Sequence, residues 1–155
     1  MIQFLKLGVV MKIYLVRHGE AEGAEINPDR PLTKNGEKQV AVLASSIRRK
    51  HFAIDEIIHS GVLRAEQTAE ILQKELGLNH TVTKGEDLLP GSDPKFWFDQ
   101  LHQSKKNIML VGHMPFMGIL AEMLIKNQMA LGFSTASMIS FRFEEGEFHL
   151  DWKSQ

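Results

Sequence analysis

Residues 11–16, MKIYLV, form a short apolar run interrupted only by Lys12, with consecutive rather than alternate apolar positions, and stop at a basic-glycine turn, Arg17-His18-Gly19. A strand of that kind is buried on both faces, as in a parallel sheet covered by helices. Two more short runs follow, DEIIHS at 55–60 and NIMLVGH at 107–113. Between them the period changes. From Thr33 a helix is expected with Val40, Leu43, Ala44 and Ile47 on one face. Residues 62–77 place Ala65, Ala69, Leu72 and Leu76 at helical spacing, with Gly77 as C-cap. A brief strand at 80–83 precedes the turn-rich DLLPGSDP. Pro94 then opens a helix carrying Phe96, Trp97 and Leu101. After the third strong strand comes a helix with Phe116, Ile119, Leu120, Met123 and Leu124 as its apolar stripe. The tail 137–152 alternates and turns at EEGE, an antiparallel hairpin. Strands alternating with helices predict a three-layer α/β/α sandwich with a mostly parallel central sheet and an antiparallel C-terminal edge hairpin.

With 155 residues the chain suits one domain, expected over 11–155. Residues 1–10 read as an extension upstream of the fold, and Met11 offers an alternative translation start. Net charge is −1, so no bulk electrostatic grip on nucleic acid or anionic lipid is expected, and any anion recognition must be local. Cysteine is absent, which excludes disulfides, thiolate metal sites and a thiol nucleophile. No apolar segment approaches the length of a membrane span. A cytoplasmic location is expected. None of the seven histidines shows metal-ligand spacing, so neither metal nor cofactor is expected.

In open α/β sheets ligands bind beyond the carboxyl ends of the strands. Arg17 and His18 follow the first strand, Ser60 and Arg64 the second, and Gly112 and His113 the third strong one. Each strand end thus sends a cationic or imidazole group to one edge, where helix N-termini also converge. Two guanidiniums, two imidazoles and a helix start suit a compact, doubly charged anion, and phosphate is the natural candidate.

The ordered segments VRHGEAE, RPLTKNGEKQ, HSGVLRAEQTAE, LVGHMPFMGILAE and TASMISF resemble the histidine phosphatase superfamily, with its phosphoglycerate-mutase-like fold. Within it the chain is similar to the short SixA-type phosphohistidine phosphatases, over residues 11–143. The resemblance implies His18 as the phosphate-accepting nucleophile. Arg17, Arg64 and His113 would complete the phosphate pocket, and Met114 would join them in contacting substrate. Two positions depart from the family pattern. Gly61 stands where proline usually follows the serine, which suggests a looser loop, and Ala21 stands where many members carry a hydroxyl.

An imidazole attacks phosphorus only when neutral, with its other nitrogen held, for instance by backbone near Gly19. An alkoxide leaving group needs an acid. Glu20 and Glu22 are the nearest candidates, ahead of the turn carboxylates Glu86, Asp87 and Asp93. A phosphorylated imidazole needs less help, because its second nitrogen protonates near pH 6.5. Short connections imply an open pocket, able to admit a phosphohistidine protruding from a protein. The expected activity is therefore a metal-independent phosphatase acting on phosphohistidine in a protein, such as the histidine-containing phosphotransfer domain of a phosphorelay. The alternatives are a phosphomonoesterase for a small phosphorylated metabolite and a non-catalytic phosphate-binding module.

Overall fold

A computed structural model of the protein describes residues 10–126 and 131–154. The extension expected at 1–10 lies, apart from Val10, outside the described residues. The elements run β1 (Met11–Arg17), α1 (Lys34–Lys50), β2 (Glu56–His59), α2 (Leu63–Glu75), β3 (Val82–Lys84), α3 (Lys95–Gln103), β4 (Ile108–Gly112), α4 (Phe116–Ile125), β5 (Ser137–Glu144) and β6 (Glu147–Lys153). They form one six-stranded sheet in the order β3-β2-β4-β1-β5-β6. The first four strands of that order are parallel, and β5 and β6 are antiparallel. The three-layer sandwich and its antiparallel edge are therefore present as expected.

The period-2 alternation of the central strands divides the core into two layers. Tyr14 and Val16 of β1, with Met109 and Val111 of β4, face α1 and α2. Ile13, Leu15, Ile108 and Leu110 face α3 and α4. Helix ends follow from local chemistry. Thr33 caps α1 by accepting the Gly36 N–H at 2.8 Å, and Arg48, Arg49 and Lys50 complement its C-terminal dipole. Gly77 adopts φ +66° just past α2, donating to Lys74 O while Leu78 donates to Gln73 O, a Schellman ending. The β5–β6 turn is Glu145-Gly146 with φ 51° and 78°, the type I′ geometry that suits strand twist.

Two packing expectations need correction. In α4 the buried stripe is Phe116, Met117, Leu120, Ala121 and Leu124, whereas Ile119 is 45% exposed and Met123 only half-buried. The helix is apolar nearly all round, so more than one register of stripe can be drawn on it. Phe96 is likewise exposed, while Trp97 and Leu101 enter the core. Among the described residues no helix is long and apolar enough to cross a membrane.

Candidate active site

Strand register brings the predicted groups together. Arg17 pairs with Gly112 across β1 and β4, and His59 pairs with Val111 across β2 and β4. His18, Ser60 and His113 therefore leave three adjacent strands at the same level. The ladder continues one step further, since the His18 N–H donates to Gly112 O at 3.0 Å. The His18 and His113 rings lie 5.1 Å apart between centroids, and both are buried. Arg64, in the first turn of α2, reaches over them and places Nε 3.4 Å from His18 Nε2.

His18 Nδ1 is 2.7 Å from the Gly19 carbonyl oxygen. A carbonyl only accepts, so Nδ1 carries the proton and Nε2 keeps its lone pair. Burial pushes the His18 imidazole down to about 4, and the guanidiniums of Arg64, Arg17 and Arg30 push the same way against the Gly19 hydrogen bond. His113 is held down to about 3, chiefly by burial and then by His18, Arg64, Arg17 and Arg30. Both rings are neutral at neutral pH, and the His18 Nε2 lone pair faces the Arg64 guanidinium.

Two donor or acceptor atoms here have no protein partner among the described residues although they are buried: Arg17 Nε and His113 Nδ1. Leaving such a group unpaired costs about 1–3 kcal/mol, so each marks a place where a ligand can complete the bonding. Arg17 is otherwise anchored, its Nη1 donating to Phe133 O at 2.8 Å. A tetrahedral oxyanion beside His18 Nε2 would supply acceptors to the surrounding N–H groups. Clefts of about 320 Å³ and 410 Å³ elsewhere on the molecule are lined by none of these four residues.

Close backbone approach seats the nucleophile loop against the start of α1. A Cβ on Gly36 would overlap Glu20 O, and one on Gly19 would lie 2.9 Å from Gly36 O. Only paired glycines let α1 start against this loop. Thr68, fully buried one turn after Arg64, ties the same loop to α2: Gly19 N–H donates to its Oγ1 at 3.1 Å, and that hydroxyl donates to Arg64 O at 2.8 Å.

Arg17, His18, Arg64 and His113 are thus gathered at one place, and the other expected residues are not. Glu20 is committed to the start of α1, its carboxylate accepting from Thr33 Oγ1 at 2.8 Å and from Asn35 Nδ2 at 3.1 Å. Its sequence position beside His18 suggested an acid, but the helix cap holds it. Glu22 joins a short two-stranded bridge, donating its N–H to Pro31 O and accepting from Arg30 Nε through its carbonyl. Met114 folds back so that its Cε comes within 2.9 Å of a Cβ placed on Gly118, and it packs against the core under α4. Its thioether is therefore spent on packing. Gly61 does not loosen its loop: at φ +89° its N–H donates to His59 Nδ1 at 3.0 Å, a conformation closed to proline.

Thr68 and Arg30 went unnoticed in the sequence. A hydroxyl on the buried face of α2, four residues after Arg64, was the available signal for Thr68. Arg30 adopts φ 49° between two prolines and influences both imidazoles and Arg64, a third guanidinium for which the linear sequence offers no cue. Among the described residues no three His, Asp or Glu side chains gather as metal ligands.

Comparison with known proteins agrees with this fold. Residues 13–88 match the histidine phosphatase superfamily (branch 1). An uncharacterized protein of Picosynechococcus sp. is 36% identical over 143 residues, covering 85% of each chain. Phosphohistidine phosphatase SixA of Escherichia coli K12 is 26% identical over 149 residues, covering 92% of each. The solved structure of the protein histidine phosphatase SixA complexed with tungstate superposes with a TM-score of 0.85 at 26% identity, over 94% of this chain and 97% of that one.

Proposed function

Since the chain belongs to the histidine phosphatase superfamily and is a phosphatase, we propose that it hydrolyses phosphohistidine carried on a protein, through a covalent phosphohistidine intermediate on His18. The observation that carries the reading is the Gly19 carbonyl at 2.7 Å from His18 Nδ1, which leaves a neutral Nε2 lone pair among guanidiniums. In the first step Nε2 attacks phosphorus, and the bond to the leaving nitrogen breaks with its electron pair going to that nitrogen. The approaching phosphoryl group displaces Arg64 Nε from Nε2 and takes up its N–H, together with those of Arg17 and His113. These donors stabilise charge on the equatorial oxygens. In the second step water attacks phosphorus, the N–P bond breaks, and inorganic phosphate leaves with the water-derived oxygen.

The leaving group favours an N-phosphate. Glu20 is held by Thr33 and Asn35, and among the described residues no carboxylate is hydrogen-bonded to His18, Arg64 or His113 to protonate an alkoxide. A phosphoimidazole can take its proton from solvent near neutral pH. Likeness to SixA over most of both chains supports the same choice, and its tungstate, a tetrahedral oxyanion, supports phosphate-type recognition. The carrier would be a histidine-containing phosphotransfer domain, and the reading treats residues 11–155 as a single catalytic domain.

The experiment measures phosphate release from a phosphohistidine-bearing carrier protein and from p-nitrophenyl phosphate, with EDTA present, for wild type and His18→Ala. Release from the carrier by wild type alone is expected. Release from the ester alone would move the assignment to a small-metabolite phosphomonoesterase. Phosphate binding without release from either would leave a binding module.

A further inference from the structure

We infer that Ser60 is a positioning residue: its hydroxyl holds His113 in the Nδ1–H form and so presents a neutral N–H donor to the phosphoryl group. The catalytic part of this inference rests on the phosphatase reading of the same site; the tautomer part does not.

Ser60 leaves the end of β2 beside Gly112 and His113, because His59 and Val111 are paired in register. It is 4% exposed, and its Oγ lies 2.7 Å from His113 Nε2. The Val62 N–H donates to the same Oγ at 3.3 Å. A hydroxyl has one proton and two lone pairs, and Val62 already occupies one lone pair. Two arrangements remain. If His113 Nε2–H donated to Ser60, the serine proton would have no acceptor among the described residues, and Nδ1 would hold a buried lone pair that repels an incoming anion. If Ser60 donates to Nε2, the hydroxyl is fully used and Nε2 is satisfied. The one orphan is then Nδ1–H, a donor waiting for an oxygen. Buried polar atoms are rarely left bare, and the second arrangement leaves bare only what a phosphoryl oxygen completes.

The two imidazoles then share the Nδ1–H tautomer, fixed by different partners, but turn opposite nitrogens to the ligand. The Gly19 carbonyl can only accept, so His18 keeps its lone pair at Nε2. Ser60 can donate, so His113 keeps its proton at Nδ1. One ring supplies a nucleophile and its neighbour a donor, 5.1 Å away, with neither ring charged. His113 with its proton on the other nitrogen would turn a lone pair toward the phosphoryl group and lose a transition-state contact.

The test uses protein labelled with ¹⁵N-histidine. Long-range ¹H–¹⁵N spectra at neutral pH, assigned by loss of signals in His113→Ala, report which nitrogen of His113 is protonated. Wild type should show protonated Nδ1 and unprotonated Nε2, with the Nδ1–H resonance moving on addition of inorganic phosphate. Ser60→Ala should shift His113 toward the Nε2–H form and lower kcat roughly tenfold to hundredfold, at or below the loss seen for one oxyanion-hole donor. Ser60→Thr keeps the hydroxyl and should restore both the tautomer and most of the rate. A wild-type spectrum with Nε2 protonated would overturn the inference, as would Ser60→Ala with an unchanged tautomer and kcat within about twofold. Should Ser60→Ala fail to fold, the wild-type and Ser60→Thr spectra decide by the same criteria. The spectrum needs no turnover. Wild type that releases no phosphate, with an Nδ1–H form that Ser60→Ala loses, would therefore sink the phosphatase reading and uphold the role of Ser60 in fixing the ring.

Discussion

Lowering the pH from 7 to 5 should destabilise this protein through its two pocket imidazoles. Both have folded-state pKa values below the unfolded one, so as pH falls through 6.5 the unfolded chain takes up the protons first. Stability present above that point is lost progressively until the folded pKa is reached. With an unfolded value of about 6.5 and folded values of about 4 for His18 and about 3 for His113, linkage removes about 2 kcal/mol per ring between pH 7 and pH 5. The measurement is urea unfolding at the two pH values for wild type, His18→Asn and His113→Asn, with m-values compared to verify two-state behaviour. Each substitution changes stability at pH 7 for reasons of its own, and those cancel in the difference between pH values. Carboxylates contribute the same pH-dependent loss to every variant and cancel as well. Each variant should lose about 2 kcal/mol less than wild type over this interval. Equal losses in all three proteins would refute the claim that burial and guanidiniums keep these rings neutral.

The acid limb of kcat/KM should fall near pH 4 rather than 6.5, because protonation removes the His18 lone pair; a limb at 6.5 in a pH–rate profile would contradict the buried environment. Thr68→Val strands the buried Gly19 N–H and should cost about 1–3 kcal/mol in urea unfolding, with a parallel loss of kcat as the nucleophile loop loosens. Gly36→Ala should be worse, about 3 kcal/mol or more, since its Cβ would overlap Glu20 O, and an unchanged melting temperature would show that α1 can shift freely. Arg30→Gln should raise KM for a phosphorylated carrier several-fold with a smaller effect on kcat, as expected for a cation at the pocket edge; equal effects on both would place it in the transition state instead.

Much of the fold was legible because local periodicity and tertiary environment agree in it. Consecutive apolar positions in β1 and β4 announced strands buried on both faces, and the EEGE turn announced the hairpin. Where a segment is apolar all round, as in α4, the face that would be buried was not legible. In the candidate site, Arg17, His18, Arg64 and His113 were visible because each sits at or just after a strand end, and parallel topology sends those ends to one edge. Proximity along the chain misled at Glu20 and Met114. Glu20 neighbours His18 in sequence, yet its carboxylate turns to cap α1. Met114 neighbours His113, yet its side chain turns back under α4.

The sequence by itself determined the element order, the parallel sheet and the set of charged and imidazole groups at its carboxyl edge, because period and spacing are local properties. Only the tertiary structure decided which nitrogen of each histidine is held, and by what. That choice depends on Gly19 turning its carbonyl onto one ring and Ser60 meeting the other across 53 residues of chain. It decided equally that Thr68 and Arg30 attend the site and that Gly61 must be glycine, because those facts are set by packing between segments distant in the chain. Hydrogen-bond direction is a matter of angle and distance, and no linear pattern encodes it.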